Sequence, residues 1–254
     1  MIGTRSPGLA LMRSRVKWIL PSVVFALIPS GANAGSCDSF TPGMSFKSYY
    51  SSLGFLADHY DEVLARILAQ AIRDNEPLDS EIDDDLRVAI ASYTNFAHKG
   101  MNQALWNGTL RKTRLVPFYR CLNKALDLLP RYIGPTSRIV ESGFGTEESK
   151  KHVVGNTVIY PGFTSASSLE NWIELVEKSG EYTKVFHAIL YLSSYAGRDI
   201  SKYSQAKSEK EILFPAGTCF QIRSRSETAY RVEIHADEVP CPKVNQSHPS
   251  GETP

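Results

Sequence analysis

The feature that most limits what this chain can become is a change of hydrophobic period near Pro130. Before it, apolar residues recur at steps of three and four. After it, they cluster in short runs rich in β-branched and aromatic residues. Tyr60, Val63, Leu64, Ile67, Leu68 and Ala71 trace one helix face from Leu56 onward, and Asn75-Glu76-Pro77 ends it. Ser80 is the expected N-cap of the next helix, with Asp83-Asp84-Asp85 in its first turn, where the helix dipole favours negative charge. Helical pattern continues through RVAIASYTNFAHKGMNQALWNG to Gly108 and again through LVPFYRCLNKALDLL. The second half offers strands at SRIVES, NTVIYPGFTSA, KVFHAILYLS, EILFP, TCFQIRS and AYRVEIH, with one amphipathic helix at LENWIELVEK. A helical part followed by a strand-rich part predicts an α+β domain rather than a βαβ array. No G-x-G-x-x-G follows a strand and no P-loop motif occurs, which disfavours those nucleotide sites.

The N-terminus reads as an export leader. Arg13, Arg15 and Lys17 precede WILPSVVFALIP, an apolar run too short to span a bilayer, and Ala32-Asn33-Ala34 is a small-x-small cleavage pattern. Cleavage after Ala34 is expected. The expected organisation is a leader at 1–34, a single domain at 35–241 and a polar, disordered tail at 242–254. In an oxidising compartment the four cysteines suggest two disulfides. Position along the chain suggests Cys37 with Cys241, stapling the domain's ends, and Cys121 with Cys219. With no C-x-x-C and no H-x-x-x-H, a metal site is not expected. A net charge of +1 gives no reason to expect nucleic acid or a stable membrane association, and a monomer is expected.

SEKEILFPAG places Glu209 and Glu211 at the mouth of a strand. Side chains two apart on a strand share a face, so the pair could divide labour, one carboxylate facing a developing cation and the other moving a proton. Taken alone, the pair is better explained as a solvated edge strand carrying Lys210 and two glutamates. Ser167 with Glu170 fits a capping box and needs no further role, whereas Ser165 lies outside that box and could hydrogen-bond a carboxylate on a neighbouring strand. Arg138 sits in a short β-run, where it is either an exposed edge residue or a fork of donors for phosphate or ribose.

An arginine on an early strand, a Ser-x-Ser strand end and a Glu-x-Glu opening a later strand resemble, in that order, the R-S-E pattern of mono-ADP-ribosyltransferase toxins. The double glutamate is similar to the arginine-modifying group. LDLLPRYIGPTSRIV resembles the approach to that family's first strand. GFTSAS stands where the family has GF-x-S-T-S, EKEILFPAG where it has E-x-E-V-L-x-P-P-G, and YTNFAHKGMNQAL resembles its Tyr-Thr...Asn helix. Two departures are Ala166 in place of the middle threonine and Ile139 in place of a glycine often found after the arginine, which leaves Arg131 as a competitor to Arg138.

The resemblance implies an ADP-ribosyltransferase fold, with a helical N-terminal part and a two-sheet, mainly antiparallel β core around an NAD cleft. It implies NAD as substrate without a metal, and an arginine-bearing protein target. It assigns catalysis to Arg138, Ser165, Glu209 and Glu211, and NAD binding to Arg138, Ser165, Ser167, Phe163, Tyr93 and Glu211. For Tyr93, core packing is an equal alternative. Glu211 would face the ribose cation, Ser165 would orient it, and Glu209 would handle the acceptor guanidinium. Tyr203, in the loop before Glu209, is a surface candidate for reading the target. The implied protein is a secreted toxin acting outside or inside a host cell. The alternatives are an NAD glycohydrolase with water as acceptor, and a catalytically silent binding module of the same fold.

Overall fold

The computed structural model describes residues 35–41, 43–54, 59–140, 151–179, 187–228 and 231–242. The expected leader, residues 243–254 of the expected tail and Leu56 lie outside the described residues.

The helical part contains α1 (Phe46–Ser52), α2 (Tyr60–Asp74), α3 (Asp84–Ser92), α4 (His98–Trp106) and α5 (Val116–Leu128). A π-helical turn, Tyr93–Ala97, joins α3 to α4. Asn75 closes α2 in the left-handed conformation at φ 50°. The cap of α3 is not Ser80. Asp83 accepts from the Leu86 amide at 3.1 Å, because it stands immediately before the first helical residue. The apolar faces of α1, α3 and α5 meet in a core that includes Phe46, Tyr50, Leu86, Phe118 and Leu122. Burying each such side chain contributes about 1.5–3 kcal/mol.

Among the described residues, eight strands form one sheet in the order β2-β7-β8-β4-β1-β3-β6-β5. They are β1 (Gly134–Val140), β2 (Thr157–Tyr160), β3 (Thr164–Ser167), β4 (His187–Ser194), β5 (Arg198–Asp199), β6 (Glu211–Phe214), β7 (Thr218–Glu227) and β8 (Arg231–Val239). Helix α6 (Trp172–Ser179) follows β3. The β4–β8 pair is parallel and the others are antiparallel. The two sheets expected from the sequence are visible as two parts, five strands and three. They are joined at one register pair, Ser137 with Ser167, so the ladder continues across the joint.

Strand β6 is buried on both faces. Leu213 packs into the helical core, while Ile212 and Phe214 enter a second core with Leu190, Ile222 and Ile234. That two-sided burial explains why Ile212-Leu213-Phe214 is an unbroken apolar run rather than an alternating one.

The disulfides differ from the expected pairing. Cys37 bonds Cys121 and Cys219 bonds Cys241. Proximity is set by packing and ladder register rather than by position along the chain. The short helical turn at Asp38–Phe40, next to Cys37, packs on α5. Cys219 stands opposite Val239 in the β7–β8 ladder, two residues from Cys241. Each bridge therefore closes within its own region, and the ends of the domain are not stapled together.

Candidate active site

Two adjoining cavities, of about 440 and 220 Å³, share Arg138, Ser165 and Glu209 as lining residues. They lie along the joint between the two parts of the sheet. Arg138 comes from β1 on one side, one residue past the joint, and Ser165 and Glu211 come from β3 and β6 on the other. The register pairs Ser165 with Leu213 and Ser167 with Glu211, which places Ser165 diagonally across from Glu211 on the same face. The Ser165 hydroxyl donates to Glu211 Oε1 at 2.5 Å. Burial pushes the Glu211 carboxyl above the ordinary carboxylate range, opposed by hydrogen bonds from Ser165 and Ser204 and by nearby His98.

Glu209 is not on the strand. It ends a 3-10 turn, Lys207–Glu209, and the following Lys210 takes the left-handed conformation at φ 49° before β6 begins. The shared-face argument from strand period therefore fails, yet both glutamates line the larger cavity. The turn brings Glu209 there instead. It is held from below: the Ser167 hydroxyl donates to the Glu209 carbonyl, and the Ser168 amide and hydroxyl both donate to the Lys210 carbonyl at 3.1 Å. Burial, then the charge of Glu211, raises the Glu209 carboxyl.

Ser167 forms no capping box, because α6 starts only at Trp172. Its hydroxyl accepts from the Leu169 amide at 3.0 Å while donating to Glu209. Ser167 lines the smaller cavity, and so supports the glutamate turn and faces open space at once.

Arg138 Nε is buried without a hydrogen-bond partner among the described residues. Burial lowers the guanidinium pKa, opposed by Tyr160 and Tyr93. An unmatched guanidinium donor against an open cleft suits an anionic or polyhydroxylated ligand. Arg131, the alternative, is exposed and forms a backbone bridge with Arg198; it lines neither cavity.

Tyr93 reconciles its two expected roles. It is buried, with Phe163 edge-on at 5.2 Å, and it lines the larger cavity. Burial raises its phenol well above the ordinary range. Asn102 is the residue that sequence reasoning missed. Its amide donates to the Tyr93 hydroxyl and to the Phe163 carbonyl, both at 3.1 Å, and its oxygen accepts from the Phe163 amide at 3.0 Å. It clamps the GFTSAS segment to α4. Gly162 permits this, since a Cβ there would stand 2.8 Å from the Asn102 oxygen. The YTNFAHKGMNQAL helix carries two asparagines, Asn95 and Asn102, and nothing local in the sequence marks Asn102 as the one that meets Gly162-Phe163. His98, Asn95, Ser204 and Gln205, also unremarked in the sequence, line the same cavity.

Tyr203 is not at the surface. It is 2% exposed, and its hydroxyl donates to Asp79 at 2.9 Å. The surrounding loop is tied to the end of α2 and the segment after it by Lys202 to Asp79 and by Lys207 to Asp74 and Glu76.

Residues 43–240 match the family NAD:arginine ADP-ribosyltransferase. Among curated proteins, the chain is 33% identical over 150 residues to a Mycobacterium avium protein with the provisional name NAD(+)--arginine ADP-ribosyltransferase Mav. That match covers 59% of this chain and 17% of Mav. It is 27% identical over 173 residues to the NAD(+)--protein-arginine ADP-ribosyltransferase Tre1 of Serratia proteamaculans, covering 68% of this chain and 36% of Tre1. The chain thus spans only about a sixth and about a third of the length of these relatives. Among solved structures, the ADP-ribosyltransferase HopU1 of Pseudomonas syringae pv. Tomato aligns with a TM-score of 0.60 at 17% identity, covering 81% of this chain and 97% of HopU1. The ADP-ribosyltransferase Vis of Vibrio splendidus, in complex with agmatine, aligns at 0.53 and 19% identity, covering 73% and 88%. At such identities these two establish the fold, an α+β ADP-ribosyltransferase fold.

Proposed function

Because the chain belongs to the NAD:arginine ADP-ribosyltransferase family, we propose that it transfers ADP-ribose from NAD to an arginine of a target protein and releases nicotinamide. The observation that carries this is the half-buried Ser165–Glu211 hydrogen bond, set across a cleft from the unpartnered Arg138 Nε, with Glu209 on the same cavity.

The chemistry follows from the charges. The bond between the ribose C1′ and the nicotinamide nitrogen breaks, its electron pair leaving with nicotinamide. A cationic ribose results. Glu211, ionised and oriented by Ser165, faces that cation, and fixed charge in a water-poor site is an effective stabiliser. Arg138 holds the NAD phosphate or ribose oxygens. Tyr93 and Phe163 supply an apolar wall, and Asn102 keeps both in place. The acceptor guanidinium is protonated in water and a poor nucleophile. As its nitrogen bonds to C1′, Glu209 takes the displaced proton. A carboxyl raised by burial suits that role, since its proton affinity lies closer to neutral.

The protein acts as a secreted, monomeric toxin, with domain limits at 35–241 and export through cleavage after Ala34. The leader pattern and the two disulfides support export. Among the described residues, no helix is long and apolar enough to cross a membrane.

Incubation with labelled NAD and agmatine tests the reading. Labelled agmatine is the expected product. Free ADP-ribose without it would assign the protein to NAD hydrolysis, and intact NAD would make it a binding module.

A further inference from the structure

The chain around Gly35 is enclosed by carboxylates. The Gly35 backbone nitrogen donates to Asp38 Oδ2 at 2.9 Å, and the Ser36 amide donates to Asp83 Oδ2 at 2.8 Å. A Cβ placed on Gly35 would stand 2.0 Å from Asp85 Oδ2, so the Gly35 Cα lies directly against that carboxylate. Asp85 is 7% exposed. Its Oδ1 accepts from the Tyr60 hydroxyl at 2.7 Å, while Oδ2 is buried with no hydrogen-bond partner among the described residues. A buried carboxylate oxygen left unmatched is costly, and the group that would match it is a compact cation with several donors. The nearby lysine does not serve: Lys124 Nζ donates to the Ser36 carbonyl.

We infer that this pocket is a binding site for the chain's own α-ammonium at Gly35, released by cleavage of the Ala34–Gly35 bond. The inference rests on the export reading above, and not on the transferase chemistry. Hydrolysis of that bond leaves a carboxylate on Ala34 and an ammonium on Gly35. One amide hydrogen becomes three ammonium hydrogens, enough for Asp38 Oδ2 and Asp85 Oδ2 together. Glycine suits the position because any larger residue would fill the space against Asp85.

The other charged and titratable groups facing this point are Asp83, Asp84, Tyr60 and Lys124. Burial raises the Asp85 carboxyl, opposed by hydrogen bonds from the Tyr60 hydroxyl and the Cys37 amide and reinforced by Asp83 and Asp38, as expected while its cationic partner is still an amide. The consequence is a processing-coupled lock. Asp38 also accepts from the Phe46 amide at 2.7 Å, so the ammonium would link the start of the mature chain to α1, α2 and α3.

The test is made on protein exported from a secreting host that expresses the full chain. Mass spectrometry reads its first residue, and acylation by an amine-reactive reagent is followed at Gly35 in native and denatured protein across pH. We expect Gly35 first, and acylation at least about tenfold slower in the native state, the factor that about 1.4 kcal/mol of pairing gives. The midpoint of reactivity should lie above the ordinary α-amino value of about 7.7–8.0. Simple burial without the ion pair would move it down. Asp85→Asn should remove most of the protection, and Asp38→Asn serves if that variant does not fold. A different first residue would overturn this inference together with the expected cleavage after Ala34. Gly35 first, with native-state reactivity equal to the denatured, with a midpoint at or below the ordinary value, or with protection unchanged in the aspartate variants, would overturn the pocket alone. NAD turnover enters none of these readouts.

Discussion

Glu209 and Glu211 stand two residues apart, but the regions that carry them are built differently. Glu211 opens a strand buried on both faces, and its side chain is fixed by a hydroxyl from the adjacent strand. Glu209 ends a short 3-10 turn whose backbone, not its side chain, is gripped by Ser167 and whose flanking Lys207 reaches out to Asp74 and Glu76. One carboxylate is locked at its head and the other only at its root. Under the proposed function, a group that faces one transient cation in NAD can be rigid, and a group that meets guanidiniums presented by a separate protein benefits from a free head.

This contrast can be tested by decreasing effect. Glu211→Ala should lower transfer to agmatine and hydrolysis of NAD alike by at least about a thousandfold, measured by nicotinamide release. Glu209→Ala should lower transfer by about a hundredfold and leave hydrolysis within a few-fold; equal loss of both would erase the division between the two regions. Ser165→Ala should reduce both reactions by about tenfold to a hundredfold, the range for a hydrogen bond to a charged group. Its pH profile should change too, since Ser165 holds the Glu211 carboxyl down against burial. Glu211→Gln sharpens the comparison through stability. A carboxyl whose folded pKa exceeds its unfolded value favours the folded state most at low pH, and that contribution is lost as pH rises from about 4.3 through the raised value. The glutamine variant should therefore melt higher than the parent at pH 7 and not at pH 3, while being inactive. The smallest effect is expected from Lys207→Ala, a drop of about a degree or two in Tm, because that ion pair is partly solvated.

How much could be read beforehand varied with how local each cause is. Helix and strand positions followed the apolar period, which the chain states locally, and Arg138, Ser165 and Glu211 were singled out from motifs on those elements. The position of Glu209 was misjudged because Lys210 adopts a left-handed conformation, and a lysine gives no local warning of that as a glycine would. The disulfides went wrong for a different reason. Their partners are chosen by which element packs beside which, and the β7–β8 ladder that brings Cys241 to Cys219 is a non-local fact. Asn102 was overlooked because its partners are backbone groups of a segment 61 residues away. Tyr203 reads as a surface residue because the partner of its hydroxyl, Asp79, lies 124 residues away in the chain.

The one-pair joint between Ser137 and Ser167 has a further meaning for durability. It is a narrow weld between two plates, and the dinucleotide would be gripped by jaws anchored on either plate. Slight parting of that weld would misalign Arg138 from Glu211 before the core that β6 shares with β4, β7 and β8 comes apart. Heat should therefore silence the proposed transfer activity at a temperature below the one that melts the protein, and bound NAD, bridging the weld, should bring the two temperatures together.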